Sequence, residues 1–318
     1  MRVGALAGRG RRLLERLSRR IRRVENRVVS LAPRPEIDKP AKAPVGRALL
    51  SYILDPYLLA PGHPEPHSHT HFWESREIGR LLVEAGFELD VVHWTNCTFL
   101  PRQPYDLFVD VRLNLERLGP LLGPGCLKLM HIETAHCDFY NPAQRRRLAE
   151  LAARRGIRLA PYKLLEPNRA IEHADAATIL GNRATQATYA HAGKPLWPVP
   201  ISQPFLFPFP AAKDYAAARR RFLWFGSGGL LHKGLDRVLE VFAALPELEL
   251  TVLGPIDREP EFERAFRREL YETPNIRTHG WIDVASPEFL ALAHRHLGLV
   301  YPSCSEGQNG GAVTCMHA

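Results

Sequence analysis

Between residues 222 and 254 the chain reads FLWFGSGGLLHKGLDRVLEVFAALPELELTVLG. An apolar run, a glycine cluster, apolar residues at helical spacing and a second apolar run follow in that order, which predicts strand, glycine turn, helix and strand. In such a βαβ unit the turn directs unpaired backbone N–H groups and the positive end of a helix at one point, where an anion such as phosphate fits. The spacing excludes two common phosphate motifs. A dinucleotide fingerprint needs G-x-G-x-x-G, and Gly226 and Gly228 are followed by Leu231 where the third glycine belongs. A P-loop needs Gly-Lys-Ser/Thr, and Lys233 precedes Gly234 rather than following it. A tight turn whose glycines serve close packing alone is the competing reading.

The alternation continues on both sides. Downstream, a charged helical stretch spans 261–271, a short strand 275–282, a helix 287–296 and an apolar strand 297–302, after which comes SCSEGQNGG. Upstream, strands are expected at 48–54, 88–94, 106–111, 127–132, 176–180 and 196–201, with helices at 72–85 and 142–155. Strands alternating with helices imply parallel sheets, which bind ligands beyond the carboxyl ends of their strands. The glycine turns at 226–229 and 307–311 should therefore lie together on one such edge. Residues 203–214, QPFLFPFPAAKD, carry three prolines and no periodicity and read as a connection between two domains, 47–202 and 215–318.

The run FGSGGLLHKG, the helix after it, the strand ending in Gly254-Pro255, the Gly280-Trp281 turn and the YPSCSEG segment occur in this order over roughly 100 residues. Together they resemble the nucleotide-sugar-binding half of family 4 glycosyltransferases, which have the GT-B fold. The resemblance implies an α/β protein of two Rossmann-like, doubly wound domains with the active site in the cleft between them and a hinge that lets it close. It also implies that Lys233 contacts the donor diphosphate and that Glu306 reaches hydroxyls of the transferred sugar. Gly226, Ser227, Gly228 and Gly229 of the first turn, with Gly307, Gln308, Asn309, Gly310 and Gly311 of the second, complete the donor site.

Three features depart from the family. Ser227 stands where many members carry an Arg, removing one charge from the phosphate site. Thr314 stands eight positions after Glu306, where a second Glu usually holds the nucleotide ribose. The chain stops at Ala318, inside the helix expected after Glu306. On that reading the C-terminal domain is truncated, its last helix reaches about two turns, too few to hold without packing, and its edge near 297–301 is weak.

Charge changes the picture only at the N-terminus. The chain has 42 Lys and Arg against 34 Asp and Glu, a formal net charge of +8. Residues 1–34 hold eleven Arg, no Lys and two Glu, so the remaining chain is at −1 and lacks the basic face a nucleic-acid-binding body needs. Within this arm Leu13, Leu17, Ile21, Val24 and Val28 recur at helical spacing among the arginines. A basic amphipathic helix of that kind suits an anionic membrane surface, each cation near it contributing ~1 kcal/mol. A helix docked on the body, or an Arg-rich targeting segment, would use the same residues. No apolar run of the roughly 20 residues a spanning helix needs is present, so the chain is expected to lie on a bilayer rather than cross it. With the basic arm and the absence of a disulfide pattern among the cysteines, which fits a reducing cytoplasm, the expected place is the cytoplasmic, inner face of a membrane.

Five cysteines without a C-x-x-C pair suggest neither a disulfide framework nor a structural zinc site. His63, His67, His69 and His71 can place metal ligands on one side of an extended segment, but no cysteine or carboxylate pattern completes a site, and no metal is expected. That segment follows the first strand, at the cleft, which assigns His69, His71 and Glu74 to the acceptor side; a solvated loop capped by its own histidines is the alternative. In KLMHIETAHCDFY, residues 128–140, Glu133 joins the acceptor side. His131, at the end of its strand, resembles the family's sugar-contacting histidine, or is a hydrogen-bonded core residue.

The family implies transfer from a nucleotide sugar to a glycan or lipid-linked acceptor with retention of configuration, in cell-surface polysaccharide synthesis and without a metal or other cofactor. Catalytic roles then fall to Glu306, Lys233 and His131. The departures leave open a glycosyltransferase-like module that binds at the membrane without turnover, and less readily an epimerase.

Overall fold

The computed structural model describes residues 25–32, 43–60, 63, 70–203, 205–208 and 212–318. The first sheet has seven strands: β1 (Val28–Leu31), β2 (Gly46–Tyr52), β3 (Phe87–His93), β4 (Leu107–Asp110), β5 (Leu127–Ile132), β6 (Ala176–Leu180) and β7 (Leu196–Val199). Their order is β1-β3-β2-β4-β5-β6-β7, parallel throughout except for β1. A second, wholly parallel sheet is formed by β8 (Arg221–Phe225), β9 (Glu249–Leu253), β10 (Ile276–Gly280) and β11 (Gly298–Leu299) in the order β10-β9-β8-β11. The helices that place the site are α1 (Thr70–Glu84), α2 (Cys137–Arg155), α3 (Leu235–Ala244), α4 (Pro287–Arg295) and α5 (Gly310–His317).

Each sheet is buried on both faces, which is why its central strands are apolar runs rather than alternating ones. Phe108, Leu115 and Ile179 lie in the core on one face of the first sheet and Leu50, Val91 and Val109 in the core on the other. Trp224, Leu239 and Val252 fill one face of the second sheet, and Leu223, Leu253 and Phe289 the other. Both sheets reverse winding direction at their first parallel strand: β2 lies between β3 and β4, and β8 between β9 and β11. A crevice opens at the carboxyl end of such a switch point. These are two Rossmann-like, doubly wound units, as expected from the sequence.

Three expectations change. Val28, counted with the helical stripe of the arm, lies in β1, which pairs antiparallel with β3 from Val28↔Val92 to Leu31↔Leu89. Extended backbone at the sheet edge satisfies the outer groups of β3, so this part of the arm is structural; residues 1–24 and 33–34 lie outside the described residues. Helix α2 starts at Cys137 rather than at 142, because His136 caps it by accepting from the Asp138 N–H, leaving Pro142 inside the helix. The strand expected at 297–302 pairs only over Gly298–Leu299. The short α5 is held by packing: Asn309 caps it at Ala312 N, Thr314 is buried, and Cys315 lies against the Phe289 core.

The two units are joined by more than the 203–214 connection. Helix α2 leaves the first sheet, yet its Leu151 is fully buried in the core of the second unit, with Leu148, Ile157 and Leu159 beside it. Arg154 binds Asp236 at 2.8 Å and Glu240 at 2.9 Å on α3, and Arg155 binds Glu269 at 2.8 Å. Asp236 is fully buried, and a buried carboxylate stripped of its cations would cost several kcal/mol.

Asp110, at the end of β4, is completely buried and accepts from Leu115 N at 2.7 Å. Burial pushes its pKa up from 3.8 to about 6, against the bonds it accepts from Ser51 and the backbone. The folded chain therefore holds this proton where the unfolded chain has lost it, and stability falls as pH rises from about 4 through 6. In denaturant unfolding, Asp110→Asn should gain about 2 kcal/mol on the parent chain between pH 4 and pH 7. A difference constant across that range would show that Asp110 does not titrate in this way.

Candidate active site

The glycine turn after β8 is shaped by two positions that require glycine. Gly234, the N-cap of α3, has φ +76°, and a Cβ there would lie 2.7 Å from Pro302 Cγ. Gly229 has φ +88°. Between them Lys233 is pinned by its backbone, donating to Gly229 O at 2.8 Å and accepting from Trp224 Nε1 at 3.3 Å. Its ammonium rests 5.4 Å from the Tyr301 ring and 3.4 Å from Glu306 Oε1. The same oxygen accepts from Ser303 Oγ at 2.9 Å and from Tyr301 Oη at 3.2 Å. Burial, and then Glu306, raise the Tyr301 pKa, so its hydroxyl remains a donor.

Opposite stands a network at the ends of β2 and β5. Tyr52 Oη lies 2.9 Å from Glu74 Oε2 and 2.6 Å from Glu133 Oε1. Glu133 also meets His71 Nε2 at 2.7 Å and Arg112 Nη2 at 3.2 Å. Burial alone would raise the Glu133 pKa, but His71, Arg112 and the Tyr52 hydroxyl hold it well below the usual carboxylate range. Glu133 is thus a fixed anion that orients Arg112 and His71. His71, Glu74 and Glu133 each offer one ligand atom within 4.8 Å of the others, a set able to hold a metal ion. Tyr52 and Arg112, already on these carboxylates, would have to yield to it.

The two networks line one cavity of about 500 Å³. Of the residues singled out in the sequence, Gly226, Ser227, Gly228, Gly229, Lys233, Glu306, Gln308, Asn309, Gly310 and Gly311 line it, as do His71 and Glu133. Gly307 does not: it abuts the Glu133 backbone, where a Cβ would stand 2.8 Å from the carbonyl carbon, so the second glycine turn is pressed onto the far wall. Glu74 is buried behind the wall and accepts from Ser202 Oγ at 2.6 Å, just before the interdomain connection. His131 is buried beneath Tyr52, bonds Thr178 Oγ1 through Nδ1 at 2.8 Å, and is not on the cavity wall. Burial lowers its pKa, which favours the neutral ring. The core reading of His131 fits this geometry. His69 lies outside the described residues.

One expectation about the first turn is corrected. The Gly229 N–H, expected to face a phosphate, donates to Glu259, as does Leu230 N at 3.0 Å. The turn does gather an anion, but a carboxylate of the chain itself takes these two donors. Thr314 lines the cavity, its hydroxyl 2.8 Å from Gly310 O and 3.2 Å from Gln203 Oε1 of the connection.

Sequence reading missed Arg112, Tyr140, Tyr162, Lys163, Arg258 and Tyr301, all on the cavity wall. Arg112 follows β4 at the switch point, a position topology alone would have nominated. Tyr140 stacks on His232 at 4.7 Å, its pKa pushed up to about 12 by burial and then by Glu306. No local signal marked Tyr162 or Lys163, which lie in an irregular loop.

No protein-family model matches the chain, and no curated protein does. Solved structures similar to it include Staphylococcus aureus TarM G117R in complex with fondaparinux, α-GlcNAc-glycerol and UDP, at 9% identity and TM-score 0.42 over 66% of this chain and 39% of that one. The pneumococcal O-GlcNAc transferase GtfA with UDP and GlcNAc matches at 12% identity and TM-score 0.41, over 66% of this chain and 40% of that one. AviGT4, a glycosyltransferase involved in avilamycin A biosynthesis, matches at 17% identity and TM-score 0.38, over 80% and 68%. The chain thus spans about two fifths of the length of the first two. Identities and TM-scores this low transfer no ligand and no residue's role to this chain.

Proposed function

We propose that the cavity binds a nucleoside diphosphate sugar and that the chain is a metal-independent glycosyltransferase of the family 4 type that retains anomeric configuration. The observation that carries this reading is the convergence of Lys233, Glu306 and both glycine turns on one cavity whose opposite wall holds His71, Arg112 and Glu133. The diphosphate lies against Gly226, Ser227 and Gly228 and the first turn of α5, with Lys233 on its oxygens. Glu306, aligned by Ser303 and Tyr301 on one oxygen, offers the other to hydroxyls of the sugar. As the bond from the anomeric carbon to the phosphate oxygen breaks, an acceptor oxygen bonds that carbon from the same side and its proton passes to the departing diphosphate. The protein's part is to stabilise charge on the leaving group, the kind of preorganised electrostatics that dominates catalysis in many enzymes. His71 and the Glu133 wall receive a glycan or lipid-linked acceptor, consistent with a role in cell-surface polysaccharide synthesis.

A binding module without turnover is favoured by Glu259 on the first turn and by Thr314 at the ribose position. Assays of transfer and of donor hydrolysis with UDP, GDP and ADP sugars separate the two: binding with neither activity would establish the module. Lys233→Ala should weaken the nucleoside diphosphate that binds by about 1–3 kcal/mol in calorimetry. Unchanged affinity would remove Lys233 from the site.

We also infer, from its eleven arginines, that the N-terminal arm holds the chain at an anionic, cytoplasmic membrane face. Among the described residues no helix is long and apolar enough to cross a membrane. Because β1 belongs to the sheet, the informative deletion is residues 1–24. That variant should lose sedimentation with anionic vesicles, and the full chain's binding should fall steeply with salt; equal sedimentation of both chains would overturn the membrane role.

A further inference from the structure

Lys163, like Arg258, is a cation of the cavity wall that the site's charge pattern leaves without an assignment, and Lys163 is the one carried over the glycine turn. It lines the cavity in the loop after α2, and among the described residues no hydrogen bond or ion pair engages its ammonium. The charges around it are Arg112, Glu133 and Lys233. Glu133 is already committed to Tyr52, His71 and Arg112, and Lys233 is shared with Glu306.

The loop's position is fixed rather than incidental. Leu151, Ile157 and Leu159, which lead into it, pack in the core of the second unit. Tyr162, next to Lys163, lies on the glycine turn: a Cβ on Gly228 would collide with its hydroxyl, and one on Gly229 would stand 3.5 Å from its ring. Lys163 is therefore carried over the turn by a segment anchored on the same unit as Lys233, although its helix springs from the other sheet. Four cations, Arg112, Lys163, Lys233 and Arg258, line this cavity with two committed carboxylates, Glu133 and Glu306. Like charges gather at such a cost where a polyanion binds between them.

We propose that Lys163 and Lys233 grip the two phosphates of a nucleoside diphosphate from either side, Lys163 supplying the charge that Ser227 does not. The inference rests on the donor reading above and adds a residue to it. It explains how a turn without an arginine, and with two of its N–H groups on Glu259, still holds a diphosphate. Surrounding protein and the nearby Arg112 lower the Lys163 pKa, whereas Glu133 raises it and Lys233 lowers it further. In alkaline solution diphosphate binding should therefore take up a proton at Lys163.

The test is calorimetry on the full chain with UDP, GDP and ADP and the matching monophosphates, using Lys163→Ala, Lys163→Arg and Lys233→Ala, each checked for an unchanged melting temperature. Lys163→Ala should weaken the bound diphosphate at least tenfold and the monophosphate less, and Lys163→Arg should restore most of the loss. Wild-type binding at alkaline pH should show a buffer-dependent enthalpy that Lys163→Ala abolishes. If Lys163→Ala binds like wild type while Lys233→Ala does not, the donor reading stands and the role of Lys163 is overturned. Weaker binding with proton uptake unchanged would also overturn it, making the residue a support of the loop. If wild type binds no nucleoside diphosphate, both readings fall.

Discussion

The site depends on one packing constraint: α2 belongs by sequence to the first sheet and by burial to the core of the second. Leu151 among Trp224, Leu230 and Leu239 removes an apolar side chain from water only while the two units stay together. Asp236 works in the same direction, because its buried carboxylate is balanced by Arg154 at 2.8 Å and, more loosely, by Arg147 at 3.7 Å, both from α2. Surface ion pairs such as that of Arg155 with Glu240, at 3.6 Å, add little by comparison. The cavity is consequently bounded on one side by a fixed joint between the two units.

From this joint follows the division of labour across the cavity. The second unit supplies an anion-attracting turn with one lysine and a glutamate locked by Tyr301 and Ser303. The first supplies a carboxylate, Glu133, whose partners keep it ionised and thereby fix Arg112 and His71. Gly307 lets the two surfaces meet without a side chain between them. The carboxylate of Glu259 takes the Gly229 and Leu230 N–H groups, so on the proposed reading only residues 226–228 of the turn are left for a diphosphate.

Much of this was legible in the sequence where local pattern and tertiary role coincide. The βαβ run at 222–254 fixes β8, α3 and β9 because apolar period and glycine position agree, and β5 and β6 begin and end where their apolar runs do. Features set by distant partners were not legible. The β1 edge strand looks helical because its apolar residues continue a helical stripe, and only pairing with β3 makes it extended. The start of α2 was misplaced because Pro142 resembles a helix opening, while the cap is His136. His131 has the right strand end but is covered by Tyr52, a burial no spacing reveals. Lys163 and Arg112 acquire meaning only from topology and from the loop that crosses the cleft.

The central claim is that both glycine turns and both units hold one diphosphate in one cavity. A crystal structure of the full chain with whichever of UDP, GDP or ADP binds tests it most directly. The diphosphate should lie between residues 226–228 and the first turn of α5, within hydrogen-bond reach of Lys233, with the sugar side open toward Glu306 and His71. A nucleotide bound outside this cavity, or one whose phosphates point away from both turns, would contradict the account.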